Sequence, residues 1–225
     1  MKKIYLLLIL VLPSAIYIIL TMGKHNFIHL PIVGPNSDST YHKIPDFLFL
    51  NQFGDTISSS EYRGSIYVAN FFFTTCPTIC PPMTYQMLRI QQKIANDSTF
   101  KILSHSINPE FDTPEVLLEY GEGFGADFKN WNFVTGNKES IHSIAKSYFV
   151  NVMEDSLAPG GFLHSEYFVL IDKEGRIRSR KDDDGNILGV YNGTSPYEVG
   201  LLIDDIKVLM AEYSLSKKDK NEKAR

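Results

Sequence analysis

Between residues 65 and 73 the chain reads Ser-Ile-Tyr-Val-Ala-Asn-Phe-Phe-Phe, almost unbroken in apolar, aromatic and β-branched side chains. That pattern predicts a strand buried on both faces, as in a parallel sheet. The period then changes. Met83, Met87, Ile90 and Ile94 recur at helical spacing, and Pro81 and Pro82 stand where a first helical turn tolerates proline. Phe100 to Ile107 predicts the next strand. Asp112-Thr113-Pro114-Glu115 has the cap residue, proline and early acid of a helix start. Trp131 to Val134 reads as a short strand, and Ser140 to Tyr148 as a helix with Ile141, Ile144, Ala145 and Tyr148 in its stripe. Glu166 to Asp172 is a strong strand pattern, Lys173-Glu174-Gly175 is turn chemistry, and Ile177 opens a return strand. A last helix is predicted from about Pro196 to Tyr213, with Val199, Leu202, Ile206, Leu209 and Tyr213 near one face. Strands alternating with helices, then a hairpin, then a helix predict an α/β fold: a central mixed β-sheet flanked by helices.

The two ends carry different patterns. Ile4 to Met22 is a run of 19 residues without a charge, preceded by Lys2 and Lys3 and followed by Lys24. At about 1.5 Å per residue such a helix nearly spans a bilayer core of about 30 Å. Residues 1–22 are therefore predicted to be a transmembrane anchor; a signal peptide cleaved near Ser14-Ala15 is the competing reading. The lysines at the start favour a cytoplasmic N-terminus and an exported, periplasmic-type location for the domain beyond the anchor. Residues 23–43, with Pro31, Gly34 and Pro35, read as a tether. One domain is predicted over residues 44–214, starting near Ile44-Pro45-Asp46-Phe47. A charged tail is predicted over residues 215–225, frayed from Lys217 onward. The hydrophobic fraction of 44% fits a globular domain, and a net charge of −4 argues against nucleic-acid binding.

The chemistry concentrates at Cys76 and Cys80. They are the only two cysteines, and a bridge across so short a loop adds little stability through chain entropy. They lie between the predicted buried strand and the proline-led helix. A helix N-terminus favours thiolate over thiol, and thiolate is the form that binds a metal or attacks a disulfide. Soft thiolates suit Cu(I) and zinc. The blander reading, two small buried hydrophobes, sits poorly with that location. A third ligand is sought among six histidines. His25, His29 and His42 fall in the tether and read as solvated, His105 lies inside a strand pattern, and His142 lies on a polar helix face. His164 follows Pro159-Gly160-Gly161 and precedes a strand, which places it on a loop. On position alone it is as readily a surface residue as a ligand. Met83 and Met87 read as core, and Asp182-Asp183-Asp184-Gly185 as a polar tip, since Arg180 stands where a calcium loop needs an acid.

A βαβ half followed by a ββα half is the thioredoxin-like arrangement, in which a CxxC pair after the first strand is the usual redox signature; here the spacing is CxxxC. Three stretches resemble a known family in order and spacing. They are Thr75-Cys76-Pro77-Thr78-Ile79-Cys80-Pro81, then Ser106 through Pro114, and then Leu163-His164-Ser165 ahead of Tyr167 to Asp172. From about Pro45 to Tyr213 the chain is similar to the SCO/SenC family of copper proteins. The resemblance implies a thioredoxin-like fold, usually anchored by one N-terminal helix, that serves assembly of the copper A centre of cytochrome c oxidase. It also implies that Cys76, Cys80 and His164 bind copper, as Cu(I) and Cu(II). Two positions depart from the family pattern: Thr78 and Asn108 stand where Asp is frequent, so that Asp112 alone remains of a paired-acid motif. The implied partners are the copper A subunit or another copper acceptor, with an upstream copper donor or thiol reductant. Two activities are compatible with the site. One is a metallochaperone that hands over copper. The other is a thiol–disulfide oxidoreductase in which Cys76 and Cys80 are catalytic and reduce the cysteines of a copper acceptor. A copper or redox sensor ranks behind both.

Overall fold

The computed structural model describes residues 29–37, 40–94, 97–155 and 157–223, together with Val11 and Pro13. The predicted anchor, residues 1–22, lies outside the described residues apart from those two positions. Among the described residues no helix is long and apolar enough to cross a membrane.

The strands are β1 (Asn36–Ser37), β2 (Thr40–Tyr41), β3 (Leu48–Asn51), β4 (Thr56–Ser58), β5 (Ile66–Phe72), β6 (Phe100–Ser106), β7 (Trp131–Thr135), β8 (Val152–Glu154), β9 (Phe162–His164), β10 (Tyr167–Ile171), β11 (Ile177–Arg178) and β12 (Tyr191–Asn192). The helices are α1 (Cys80–Lys93), α2 (Pro114–Phe124), α3 (Lys138–Ser147) and α4 (Pro196–Lys223). The main sheet is ordered β11-β10-β5-β6-β7-β3-β4, with β12 also pairing β10. Strands β5, β6 and β7 are parallel, while β10, β3 and β4 join antiparallel, so the sheet is mixed as predicted.

Strand β5 runs through the centre, and all seven of its residues are buried. Successive side chains of a strand point to opposite faces. Phe71 accordingly meets Tyr148, just past α3, and Phe72 meets Tyr120 of α2, so helical segments cover both faces. This is the thioredoxin-like architecture. Its consequence for function is directional: β5 ends at Phe72, and the chain beyond it emerges at one edge of the sheet, where α1 begins.

Three expectations need correction. The tether is not free of the domain around residues 30–33. Leu30 is buried, Ile32 bridges Arg178, and the Val33 N–H donates to the Ile177 carbonyl, so residues 30–33 extend the sheet edge beside β11. The cause is a buried guanidinium: Arg178 donates twice to the Leu30 carbonyl while pairing with Asp172 and Glu212. His42 is likewise not solvated. Its Nε2 lies 2.7 Å from the Ser147 carbonyl, and its ring packs on Phe149. The tail, expected to fray from Lys217, is instead helical there: α4 continues to Lys223, in a lysine-rich stretch of good helix formers.

Candidate metal centre

The loop from Phe73 to Ile79 carries the first cysteine, and α1 opens on the second. Cys80 is the first residue of the helix, with Pro81 next to it. A proline there sacrifices no helical hydrogen bond, because first-turn N–H groups have no intrahelical acceptor. The same orphan N–H groups place positive potential at the sulfur. The loop is pinned from below by Asp112. Its carboxylate accepts hydrogen bonds from the Thr74 N–H at 3.1 Å, the Thr74 hydroxyl at 2.5 Å and the Ser106 hydroxyl at 2.5 Å. Asp112 is fully buried, and burial raises its pKa against the lowering effect of the Ser106 and Thr74 hydrogen bonds. The acid that the family pattern singles out is thus a clamp that fixes the cysteine loop to the end of β6, and it has no exposed surface with which to dock a partner.

His164 arrives from the other side. It ends β9, and β8 and β9 form a two-stranded sheet of their own, with no ladder to the main sheet. The register pairs Val152 with His164 and Glu154 with Phe162. Residues two apart share a face, so His164 and Phe162 point the same way. Both rings rest on Phe73, with centroids at 5.7 and 5.3 Å. The turn feeding β9 brings Gly160 so close that a Cβ there would lie 2.5 Å from the Phe73 ring. Gly160 also has φ +82°, a left-handed conformation that other residues adopt at a cost.

These elements bring Cys76, Cys80 and His164 together, with their ligand atoms all within 4.8 Å of one another. Cys80 Sγ is 3.3 Å from His164 Nε2. Both cysteines are buried, and neither is in a disulfide. His164 Nδ1 lies 3.1 Å from the Ser165 carbonyl. A carbonyl only accepts, so the Nδ1–H donates to it, and Nε2 is the ring atom that faces the sulfurs. The two thiols are unequal. The hydrogen bond shared with Cys80 lowers the Cys76 pKa strongly, against the effect of burial; His164 and the Thr78 and Cys80 backbones lower it further. The same contact with Cys76, then burial, raises Cys80 above the ordinary thiol range. Of the two, Cys76 is the one favoured as thiolate. Two cysteine sulfurs, one of them favoured as thiolate, and an imidazole nitrogen are a donor set for a soft or borderline metal ion.

The remaining candidates fall elsewhere. Met83 and Met87 are fully buried in the core, as their spacing predicted. His105 is sealed inside a cage of Phe47, Phe49, Phe71 and Tyr148, and His142 faces the Ile107 carbonyl at 3.3 Å. His29 is largely exposed and lies 3.7 Å from Glu212; His25 is outside the described residues. Of the departures from the family pattern, Thr78 sets its hydroxyl 3.7 Å from Cys76 Sγ, and Asn108 contributes backbone to the turn that delivers Asp112. The β8–β9 hairpin and the Phe73 platform carry no clear signal in the sequence. The hairpin strands are only three residues each, and Phe73 reads as the last residue of a buried strand.

The family model described as SCO1/SenC matches residues 35–191. The chain belongs to the SCO1/SenC family. A curated relative, the SCO1 protein homolog of Bacillus subtilis, is 31% identical over 172 residues, covering 76% of this chain and 84% of the relative. Among solved structures, BsSco is similar with a TM-score of 0.62 and 28% identity, over 78% of this chain and 98% of that one. BsSco is described as a member of the Sco family of cytochrome c oxidase assembly proteins in which a disulfide switch was identified. ScoI of Arabidopsis thaliana, solved with copper bound, is similar with a TM-score of 0.58 and 25% identity, over 75% of this chain and 98% of that one. The resemblance seen in the cysteine and histidine motifs is therefore a family relationship.

Proposed function

We propose that this protein binds one copper ion through Cys76, Cys80 and His164 and delivers it during assembly of the copper A centre of cytochrome c oxidase. The observation that carries the reading is the convergence of two sulfurs and a ring nitrogen within 4.8 Å at one edge of the sheet. Copper is favoured among thiophilic ions because ScoI, a similar protein, is solved with it bound. The assembly role is supported by the description of BsSco.

The geometry supports a mechanism of ligand exchange. Cys76 and Cys80 sit where β5 passes into α1 and hold the ion as thiolates. Binding as thiolates releases any proton still held by either thiol. His164 sits on a hairpin with no ladder to the main sheet. It is the ligand positioned to leave first and admit a donor atom from the acceptor. The domain acts on the exported face of a membrane, tethered by residues 1–22, and is loaded by an upstream copper donor. The test is transfer: copper-loaded protein is mixed with an apo acceptor fragment bearing a copper A site. Appearance of the acceptor's copper spectrum with one-for-one loss of donor copper is expected.

A second reading has its own support in the unbridged, adjacent cysteine pair and the disulfide switch described for BsSco. The Cys76 thiolate attacks an acceptor disulfide, Cys80 resolves the mixed disulfide, and the acceptor leaves as a dithiol while this protein is oxidised to a Cys76–Cys80 disulfide. An upstream thiol reductant then restores it. Reduction of an oxidised acceptor fragment by metal-free protein, undiminished in His164→Ala, identifies this activity; a lack of reduction excludes it.

A further inference from the structure

Lys138 is the first residue of α3. A cation there opposes the helix dipole, which favours acids in the first turn and bases in the last. Asn137 caps the helix through its own side chain, so Lys138 is not needed for capping. Its ammonium instead reaches out of the helix to three groups. It pairs with Glu154 of β8, lies 3.4 Å from Glu110, and sits 5.9 Å above the ring of Phe162 in β9. Glu154 and Phe162 are register partners across the small hairpin. Lys138 thus grips both strands at one rung, and two residues along the same strands Val152 pairs with His164. Glu110 lies in the turn that carries the Asp112 clamp, so the same ammonium links the histidine hairpin to the support of the cysteine loop.

The hairpin's other holds are apolar: Val152 and Phe162 pack against the core, Phe162 and His164 rest on Phe73, and among the described residues no ladder joins it to the main sheet. We propose that Lys138 is a positioning residue for His164, a latch that holds the β8–β9 hairpin closed over the cysteines. This deepens the copper-binding reading and rests on it. Latched, the hairpin presents Nε2 to the ion. Unlatched, it leaves a two-sulfur site with an open position for an acceptor ligand. The Lys138 ammonium is partly exposed, at 27%. Exposed ion pairs contribute modestly and are screened by salt, which suits a catch that must open.

The experiment uses the full chain as wild type, Lys138→Met, Lys138→Arg, Glu154→Gln and His164→Ala. Cu(I) and Cu(II) affinities are measured by competition at about 0.05 M and about 0.5 M salt, with the imidazole nitrogen coupling in the Cu(II) paramagnetic spectrum. Lys138→Met and Glu154→Gln should weaken Cu(II) binding about three- to fivefold at low salt, the size expected for a partly exposed pair. Cu(I), held chiefly by the sulfurs, should stay within about twofold. Raising salt should cost the wild type a similar factor and Lys138→Met little, and Lys138→Arg should restore the wild-type values. Wild-type Cu(II) affinity and salt dependence in Lys138→Met overturn the latch. So does an equal loss of Cu(I) and Cu(II) accompanied by lower unfolding stability, which marks a purely structural role. Should wild-type protein lack an imidazole signal that His164→Ala removes, the three-ligand site itself fails, and the latch with it.

Discussion

Removing the Asp112 carboxylate tests whether the cysteine loop is held from beneath. In Asp112→Ala, the Thr74 N–H, the Thr74 hydroxyl and the Ser106 hydroxyl all lose their acceptor. A hydrogen bond to a charged group is worth about 1.5–3 kcal/mol, but these three share one carboxylate, and removing a buried charge recovers part of its desolvation cost. The net loss of stability should be about 3 kcal/mol. Asp112→Asn keeps the shape and one acceptor oxygen, and the Thr74 hydroxyl can turn to accept from the new amide, so its cost should be about 1 kcal/mol. The pH dependence has a definite sign. Burial raises the Asp112 pKa, so the folded state holds the proton more tightly than the unfolded chain. That stabilisation is full below the ordinary carboxylate range and is lost as pH rises through the raised value. Asparagine does not titrate, so the gap between wild type and Asp112→Asn should be widest in acid and narrow toward neutrality. Urea unfolding followed by the fluorescence of Trp131, the only tryptophan and 1% exposed, measures all of this. A loss below about 1 kcal/mol for Asp112→Ala, or equal losses for Ala and Asn, refutes the clamp.

His105 supplies the opposite slope. Burial lowers its pKa from 6.5 to about 4, so it folds neutral, and the stability it contributes is full above 6.5 and falls as pH drops toward 4. The loss should reach about 3 kcal/mol, and His105→Phe should flatten the profile between pH 7 and 4 whatever its effect on stability at pH 7; an unchanged slope contradicts it. Gly160→Ala forces a Cβ against Phe73 and keeps a left-handed φ, so it should push the His164 hairpin outward. Cu(II) affinity should fall at least about tenfold with little change in Cu(I), and parallel titrations of the two oxidation states would reveal any failure of that split.

Much of this arrangement was legible in the order of residues. Strand β5 and helix α1 were legible because each is set by a local pattern, a continuous buried run and a proline-led helical stripe. Their junction fixed the cysteines without further information. The histidine was different in kind. Nothing in the residues around His164 states that it lies opposite Cys80; that is decided by where the β8–β9 hairpin docks, which depends on Phe73 and Lys138, far away in the chain. Only the family resemblance supplied it. The packed tether was missed for a similar reason. Leu30, Ile32 and Val33 alternate with too little regularity to announce a strand, and the partner that orders them is a buried arginine far along the chain, Arg178. The acid Asp112 was visible as a motif residue, but its role as a clamp required knowing that Thr74, just past the end of β5, lies beside Ser106 at the end of the neighbouring parallel strand β6.

The central claim is that Cys76, Cys80 and His164 form one copper site. Copper titration of the domain, with optical and paramagnetic spectra recorded on wild type, Cys76→Ser and His164→Ala, tests it most directly. One copper per chain is predicted, with sulfur-to-copper charge transfer in the Cu(II) form that is lost in Cys76→Ser and altered in His164→Ala, the latter weakening Cu(II) more than Cu(I). Unchanged binding in Cys76→Ser, or a Cu(II) spectrum indifferent to the loss of His164, would contradict it.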